Sequence, residues 1–292
     1  MKRLLFCAVL AGASSSASAG EMLVSPAWLK ENLADPRLVL FHVGTRPEFD
    51  KEHIPGAQLV VPQDLSIPRA ESPLILQLLP EGALREKLQT LGVSDDSRVV
   101  VYFGSDLISP TTRVYFSLDT AGLGERTSVL DGGLPAWKAA GGAVTDEVKP
   151  RAPGKITVKP RPELVLGLDD VREGLAGASI NLIDARNPEF FDGRSPGSMP
   201  RAGHIPGARN IPYPSLATAD LKMKTEAEVA LIFEAVGIKT GDTVVSYCHI
   251  GQQATMVYFA AKRLGIKAKV YDGSWDEWSR RDELPVEPIP IK

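Results

Sequence analysis

The sequence predicts an α/β protein made of two tandem domains, each a small parallel sheet flanked by helices. Three observations carry this. At 292 residues the chain is long enough for two domains of about 150 residues, each able to bury a core. Its second half repeats the motifs of its first in the same order. Within each half, short and nearly continuous apolar runs alternate with helical patterns, as expected of parallel strands buried on both faces.

Taken in order, residues 1–19 read as a secretory signal. Lys2 and Arg3 form a charged start, residues 4–13 a short apolar core, and Ala17-Ser18-Ala19 a small-residue cleavage site. The apolar core is too short to span a bilayer. The expectation is cleavage after Ala19 and a periplasmic or secreted protein, with no stable membrane insertion after signal removal. The first domain is placed at 22–146, with strands at 38–43, 99–103 and 128–130. Residues 147–163 form a linker, since Pro150, Pro153, Pro160 and Pro162 deny regular structure. The second domain is placed at 164–288, with strands at 180–183, 243–247 and 269–271. A helix at 226–236 is opened by a Thr225/Glu228 capping box and stopped by Gly237. Val229, Ile232, Phe233 and Val236 recur along it at helical spacing. A further helix runs over 254–264 and closes at Gly265.

The repeat is specific. Glu52-His53-Ile54-Pro55-Gly56-Ala57 returns as Gly203-His204-Ile205-Pro206-Gly207-Ala208, and Pro47-Glu48-Phe49 as Pro188-Glu189-Phe190. The run ending Tyr102-Phe103 returns ending Tyr247-Cys248, and Val114-Tyr115-Phe116 returns as Val257-Tyr258-Phe259. Asp131-Gly132-Gly133, followed by Trp137, returns as Asp272-Gly273-Ser274, followed by Trp278. His53, His204, Trp137 and Trp278 recur whether or not a thiol is nearby, so they read as structural.

Composition is that of a globular protein, 43% hydrophobic and 24% charged, with a formal net charge of −3. A mildly acidic chain without a basic block argues against nucleic acid and anionic membrane surfaces as partners. There are two cysteines. Cys7 would leave with the signal, so Cys248 cannot be half of an internal disulfide. An unpaired cysteine in an exported chain is a reactive thiol or a site of intermolecular pairing.

Cys248 ends a strand, and a short polar loop then leads into a helix. Ligands bind beyond the carboxyl ends of parallel strands. Successive loop N–H groups and a helix start make an anion cradle there, and Gly251 permits tight backbone approach. The helix dipole contributes about 0.3–1 kcal/mol at exposed sites and up to ~2 kcal/mol when partly buried. The expectation is a Cys248 pKa below the usual value of about 8.5. The first half supplies a comparison: Phe103 stands in place of the thiol, and the loop 104–111 is two residues longer. That loop carries Asp106, whose charge opposes an anion, and Pro110, which has no N–H. This contrast favours chemistry over a small buried hydrophobe at Cys248.

These residues resemble the tandem-domain rhodanese-type sulfurtransferases, the thiosulfate and 3-mercaptopyruvate sulfurtransferase family. Residues 49–57, 248–255 and 272–278 are similar to its N-terminal signature, active-site loop and C-terminal signature, in correct order. The resemblance implies an α/β/α fold for each half, a silent first domain and an active second one. It implies that Cys248 takes a sulfane sulfur from a small anionic donor and passes it, as a persulfide, to a thiol or cyanide-like acceptor. Thiosulfate is favoured over 3-mercaptopyruvate as donor. The implied donor cradle is His249, Ile250, Gly251, Gln252, Gln253 and Ala254. The chemistry requires no metal or organic cofactor. Arg186, after the strand holding Asp184, matches a family arginine that would hold an anionic donor; the other reading is a solvated turn arginine. Arg194 and Arg201, in an insertion at 192–201, either rim the pocket or belong to a charged surface loop. His249 either adds charge near the donor as pH falls or points to solvent.

Two rival readings fit the thiol and its loop less well. A cysteine phosphatase needs an arginine six positions after the cysteine, and position 254 is alanine. A catalytically silent binding or partner module of the cell envelope is the second, against which stand the thiol and its intact loop.

Overall fold

The computed structural model describes residues 21–105 and 108–288. The predicted signal, with Cys7, and Asp106 of the first-half loop lie outside the described residues. The first half holds strands β1 (Leu23–Val24), β2 (Leu38–Val43), β3 (Gln58–Val60), β4 (Arg98–Phe103) and β5 (Thr127–Leu130). Its helices are α1 (Pro26–Asn32), α2 (Arg46–Lys51), α3 (Glu81–Thr90), α4 (Ile108–Thr120) and α5 (Gly133–Ala139). The second half holds β6 (Val165–Leu166), β7 (Asn181–Asp184), β8 (Arg209–Asn210), β9 (Thr243–Tyr247) and β10 (Lys267–Tyr271). Its helices are α6 (Leu168–Ala176), α7 (Pro188–Phe191), α8 (Glu226–Ala235), α9 (Ala254–Arg263) and α10 (Ser274–Trp278).

Each half is one parallel five-stranded sheet, in the orders β1-β5-β4-β2-β3 and β6-β10-β9-β7-β8. The two orders are the same order, so the repeat read from motifs is a repeat of topology. Burial explains the apolar runs. Val39, Phe41 and Val43 pack on one face of the first sheet, and Leu38 and Leu40 on the other. In the second sheet Val244 faces one core and Val245 and Tyr247 the other.

The repeat extends to single hydrogen bonds. The Ile54 N–H donates to the Tyr102 hydroxyl at 3.0 Å, and the Ile205 N–H to the Tyr247 hydroxyl at 3.1 Å. His53 donates through Nδ1 to the Phe49 carbonyl at 2.7 Å while stacking on that ring. His204 does the same with Phe191, at 2.6 Å. The counterpart of Phe49 is therefore Phe191, not Phe190 as the motif alignment has it. The helix after β7 is two residues shorter than α2, which moves the register. Trp137 and Trp278 each donate an indole N–H to a backbone carbonyl, of Ala143 and Pro285.

The predicted capping box of α8 is present, with Thr225 accepting from the Glu228 N–H at 3.3 Å. Pro110 lies in the first turn of α4 rather than in a loop, where its missing N–H is not needed. The linker is irregular but docked. Ile156 is buried, Lys159 and Arg161 donate backbone N–H groups to Ala121 and Thr120, and Arg151 donates to the Leu38 carbonyl.

The halves meet through α4 and α9. Thr112 Oγ1 and Thr255 Oγ1 lie 2.8 Å apart. Tyr115 packs edge-on against Phe259, and Phe116 against Tyr258, with ring centroids 4.9 and 4.8 Å apart. Since Tyr115 corresponds to Tyr258 and Phe116 to Phe259, the interface is a pseudo-twofold.

Candidate active site

Strand β9 lies inside its sheet, between β10 and β7, so the residue that follows it emerges mid-sheet. That residue is Cys248, with 0% of its surface exposed. The first turn of α10 holds the start of the loop: the Trp275 N–H donates to the Cys248 carbonyl at 2.9 Å, and the Asp276 N–H to that of His249 at 2.8 Å. The other end is held by Ser246 Oγ donating to the Ala254 carbonyl at 2.9 Å and Thr255 Oγ1 to that of Gln252 at 2.6 Å. At the crest Gly251 has φ +77°. A Cβ there would lie 2.8 Å from the Asp272 carbonyl oxygen and 3.0 Å from Arg113 Nη1, so both conformation and space require glycine.

The cradle is present, but the expected lowering of the Cys248 pKa is not. Burial pushes the thiol up, the N–H groups of Ala254, Ile250 and Gln253 hydrogen-bond to sulfur and pull it down, and the Asp184 carboxylate pushes it up again. The balance stands above the ordinary value, because burial removes the solvation a thiolate needs. The loop and helix start were legible in the sequence; the depth of the sulfur was not.

Arg186 follows β7 and is 1% exposed, so it is no solvated turn residue. Its Nε lies 3.0 Å from both Asp184 oxygens. Its Nη2 donates to Asp184 Oδ2 at 2.6 Å and to the Gly203 carbonyl at 2.7 Å. Its guanidinium lies over the Trp275 ring at 4.7 Å. Nη1 has no hydrogen-bond partner among the described residues. Burial opposes its charge, but the Asp184 carboxylate outweighs burial and the Cys248 sulfur adds to it, so its pKa is raised.

The His249 ring is half-buried and packs edge-on against Phe190 at 4.6 Å, rather than pointing to solvent. Burial and the nearby Arg186 charge push its pKa down, so it is neutral at neutral pH. Ile250, Gln252 and Gln253 are also half-buried and Ala254 is buried. The Gln252 amide reaches Ser109 Oγ of the first half at 3.5 Å. Arg194 is exposed and pairs with Asp192 at 2.7 Å. Arg201 donates to the carbonyls of Ser279, Leu284, Trp278 and Arg281, which commits it to the C-terminal segment.

The roles of four residues at the site escaped sequence reasoning: Ser274, Asp184, Asp272 and Arg113. Ser274 accepts the Cys248 N–H on Oγ at 3.2 Å and donates to the Tyr271 carbonyl at 2.9 Å. It sits at φ +52°, and its counterpart Gly133 at +53°. A Cβ on Gly133 would lie 2.7 Å from the Phe103 ring. The two halves thus exchange a matched pair: phenylalanine with glycine in one, cysteine with serine in the other. That signal lay in the aligned Asp-Gly-Gly and Asp-Gly-Ser motifs. Asp184 and Asp272 stand in segments that the sequence singles out without a sign of what they bond, and Arg113 left no signal, since pairing in space decides their role. Among the described residues no group of three His, Cys, Asp or Glu side chains is placed to hold a metal ion.

The rhodanese-like domain family matches the chain twice, over residues 25–140 and 168–281. The chain is 31% identical to a putative thiosulfate sulfurtransferase of Synechococcus elongatus, over 96% of this chain and 89% of that protein. It is also 31% identical to thiosulfate/3-mercaptopyruvate sulfurtransferase 2 of Arabidopsis thaliana, over 92% and 87%. With the 3-mercaptopyruvate sulfurtransferase of Escherichia coli K12 the identity is 30%, over 90% and 96%. Among solved structures, a 3-mercaptopyruvate sulfotransferase of the rhodanese fold from E. coli superposes with a TM-score of 0.77. Its identity is 28%, over 88% of this chain and 99% of that one.

Proposed function

The chain belongs to the rhodanese-like family of sulfurtransferases, and from that premise we propose that Cys248 of the second domain carries the transferred sulfur. The observation that carries this reading is the convergence of three loop N–H groups, from Ala254, Ile250 and Gln253, on the sulfur of Cys248. The Cys248 thiolate attacks the outer sulfur of an anionic donor. With thiosulfate, the sulfur–sulfur bond breaks, sulfite leaves with its electron pair, and a Cys248 persulfide remains. A thiol or cyanide-like acceptor then takes the outer sulfur and restores the thiolate, in a double-displacement cycle. The loop N–H groups steady the negative sulfur in donor, transition state and persulfide. The first domain, with Phe103 in place of the thiol, carries no sulfur.

Arg186 holds the donor anion through Nη1, while Asp184 and Gly203 fix the rest of its fork. We favour thiosulfate over 3-mercaptopyruvate as donor; relatives bear both names. Residues 1–19 export the protein, and the site then works in the periplasm or outside the cell.

Steady-state assays with cyanide as acceptor test the reading. Sulfite release from thiosulfate should exceed pyruvate release from 3-mercaptopyruvate, and Cys248→Ser should abolish both. Unchanged turnover in Cys248→Ser removes Cys248 from the chemistry. Faster pyruvate release reverses the donor preference. A mature chain that keeps residues 1–19 in the exported fraction removes the signal reading.

A further inference from the structure

We propose that Arg113, contributed by the half without a thiol, is a positioning residue for the Cys248 loop. Arg113 projects from α4 and is 0% exposed. Its Nη1 lies 2.8 Å from Asp272 Oδ1 and donates to the Gly251 carbonyl at 3.1 Å, while Nη2 donates to the Leu76 carbonyl. One guanidinium thus ties α4 to the strap around Leu76, the crest of the thiol loop and the turn after β10. The other Asp272 oxygen accepts the Leu78 N–H at 3.0 Å, which locks the strap to the same turn.

The pseudo-twofold interface supplies the comparison. Around Thr112–Thr255 the strap and the turn that Arg113 joins recur on the opposite side. Asp272 corresponds to Asp131, which accepts the Met223 N–H at 3.0 Å as Asp272 accepts that of Leu78. Leu76 corresponds to Leu221, and both sit at φ +59°. The arginine does not recur. Arg113 precedes Val114, and the residue preceding Val257 is Met256, a buried methionine. Methionine suffices for packing where the facing loop has no thiol. The buried charge stands only where the facing loop carries Cys248.

Peptide geometry says what it does there. In a planar trans peptide the carbonyl and the following N–H point opposite ways. Drawing the Gly251 carbonyl toward Arg113 therefore turns the Gln252 N–H to the inner side of the loop. Reversing that peptide would rotate ψ at Gly251 and φ at Gln252 together; glycine leaves the first free, so Arg113 adds to the selection that the Gln252 backbone makes. The peptides that follow deliver the Gln253 and Ala254 N–H groups to sulfur. A planar fork can hold a carboxylate and two carbonyls together; a lysine ammonium on a flexible stem cannot hold all three in fixed geometry.

This inference rests on Cys248 being the nucleophile, and its test separates the two. The full-length protein is compared with Arg113→Met, Arg113→Lys and Asp131→Asn, the last perturbing the interface on the silent side. Two quantities are read in folded protein: iodoacetamide alkylation of Cys248 against pH, by intact mass, and sulfite release from thiosulfate. Arg113→Met should slow alkylation about tenfold at a given pH and shift its midpoint upward, as misaimed N–H groups cease to stabilise thiolate. It should lower kcat by roughly ten- to a hundredfold with KM changed by less than about threefold. Arg113→Lys should recover part of both, and Asp131→Asn should match the unmodified protein. A folded Arg113→Met with unchanged alkylation and kcat overturns the proposal, as does an equal loss in Asp131→Asn. Where Arg113→Met does not fold, Arg113→Lys carries the test: a partial loss of the same kind supports the proposal and an unchanged profile overturns it. If the unmodified protein takes no sulfur, the persulfide reading fails, and the alkylation arm still reports on Arg113.

Discussion

Cys248 is held between two opposed effects, burial raising its pKa and three backbone N–H groups lowering it. Burial prevails, so alkylation should follow an apparent pKa above the usual value of about 8.5. A pH–rate profile of iodoacetamide labelling checks this, and a midpoint below that value would show that the N–H groups dominate. A raised pKa does not disable the residue: thiolate nucleophilicity rises with pKa, so a scarcer thiolate is a stronger one. Gly251 sets how closely the cradle closes. Gly251→Ala forces a side chain onto the Asp272 carbonyl and the Arg113 guanidinium. It should slow sulfite release at least about tenfold through misaimed donors, with circular dichroism unchanged. Activity like that of the unmodified protein would mean that the loop crest tolerates displacement.

At the scale of elements, the sheet strands that flank the site were legible because parallel strands buried on both faces leave continuous apolar runs. β2 and β9 have the bounds that their runs predict. β1, β3, β6 and β8 are two or three residues long, too short to leave a periodic signal. Cys248, its loop and the helix behind it were legible because a strand end, a glycine and a helical pattern follow one another in sequence. The Arg186–Asp184 pair was half legible, since both residues were noticed but not their bonding. Arg113 was not, because it lies 138 positions from the carbonyl it holds. The pairing of α4 with α9 is also long-range, and it is stabilising: buried aromatic pairs add about 0.5–1.5 kcal/mol each beyond their burial. Phe259 is fully buried against Tyr115. Phe259→Ala should cost about 3–5 kcal/mol by denaturant unfolding; a cost below about 1 kcal/mol would mean that the interface collapses to fill the gap.

The whole molecule is a duplicated domain, and the fully buried carboxylate of Asp119 binds its two copies. It pairs with Arg161 of the linker at 2.9 Å and with Lys262 of α9, and accepts the Tyr258 hydroxyl at 2.6 Å. Asp119→Asn removes the counter-charge of Lys262 and one of the two carboxylates on Arg161, which keeps Glu163 at 3.1 Å. Because Arg161 and Lys262 are partly exposed, the cost should fall near the low end for breaking a buried pair, about 3 kcal/mol. Calorimetry should show one transition in the unmodified protein and a lower melting temperature in the variant; an unchanged melting temperature would mean that the halves do not stabilise one another through this carboxylate. On this account the first domain is a scaffold that braces the loop of the second, and Cys248 alone carries sulfur. The most direct test is the intact mass of the protein after incubation with thiosulfate, and separately with 3-mercaptopyruvate, followed by removal of excess donor. The account predicts the added mass of one sulfur atom, lost on treatment with cyanide and absent in Cys248→Ser. No added sulfur with either donor, or sulfur retained by Cys248→Ser, would contradict it.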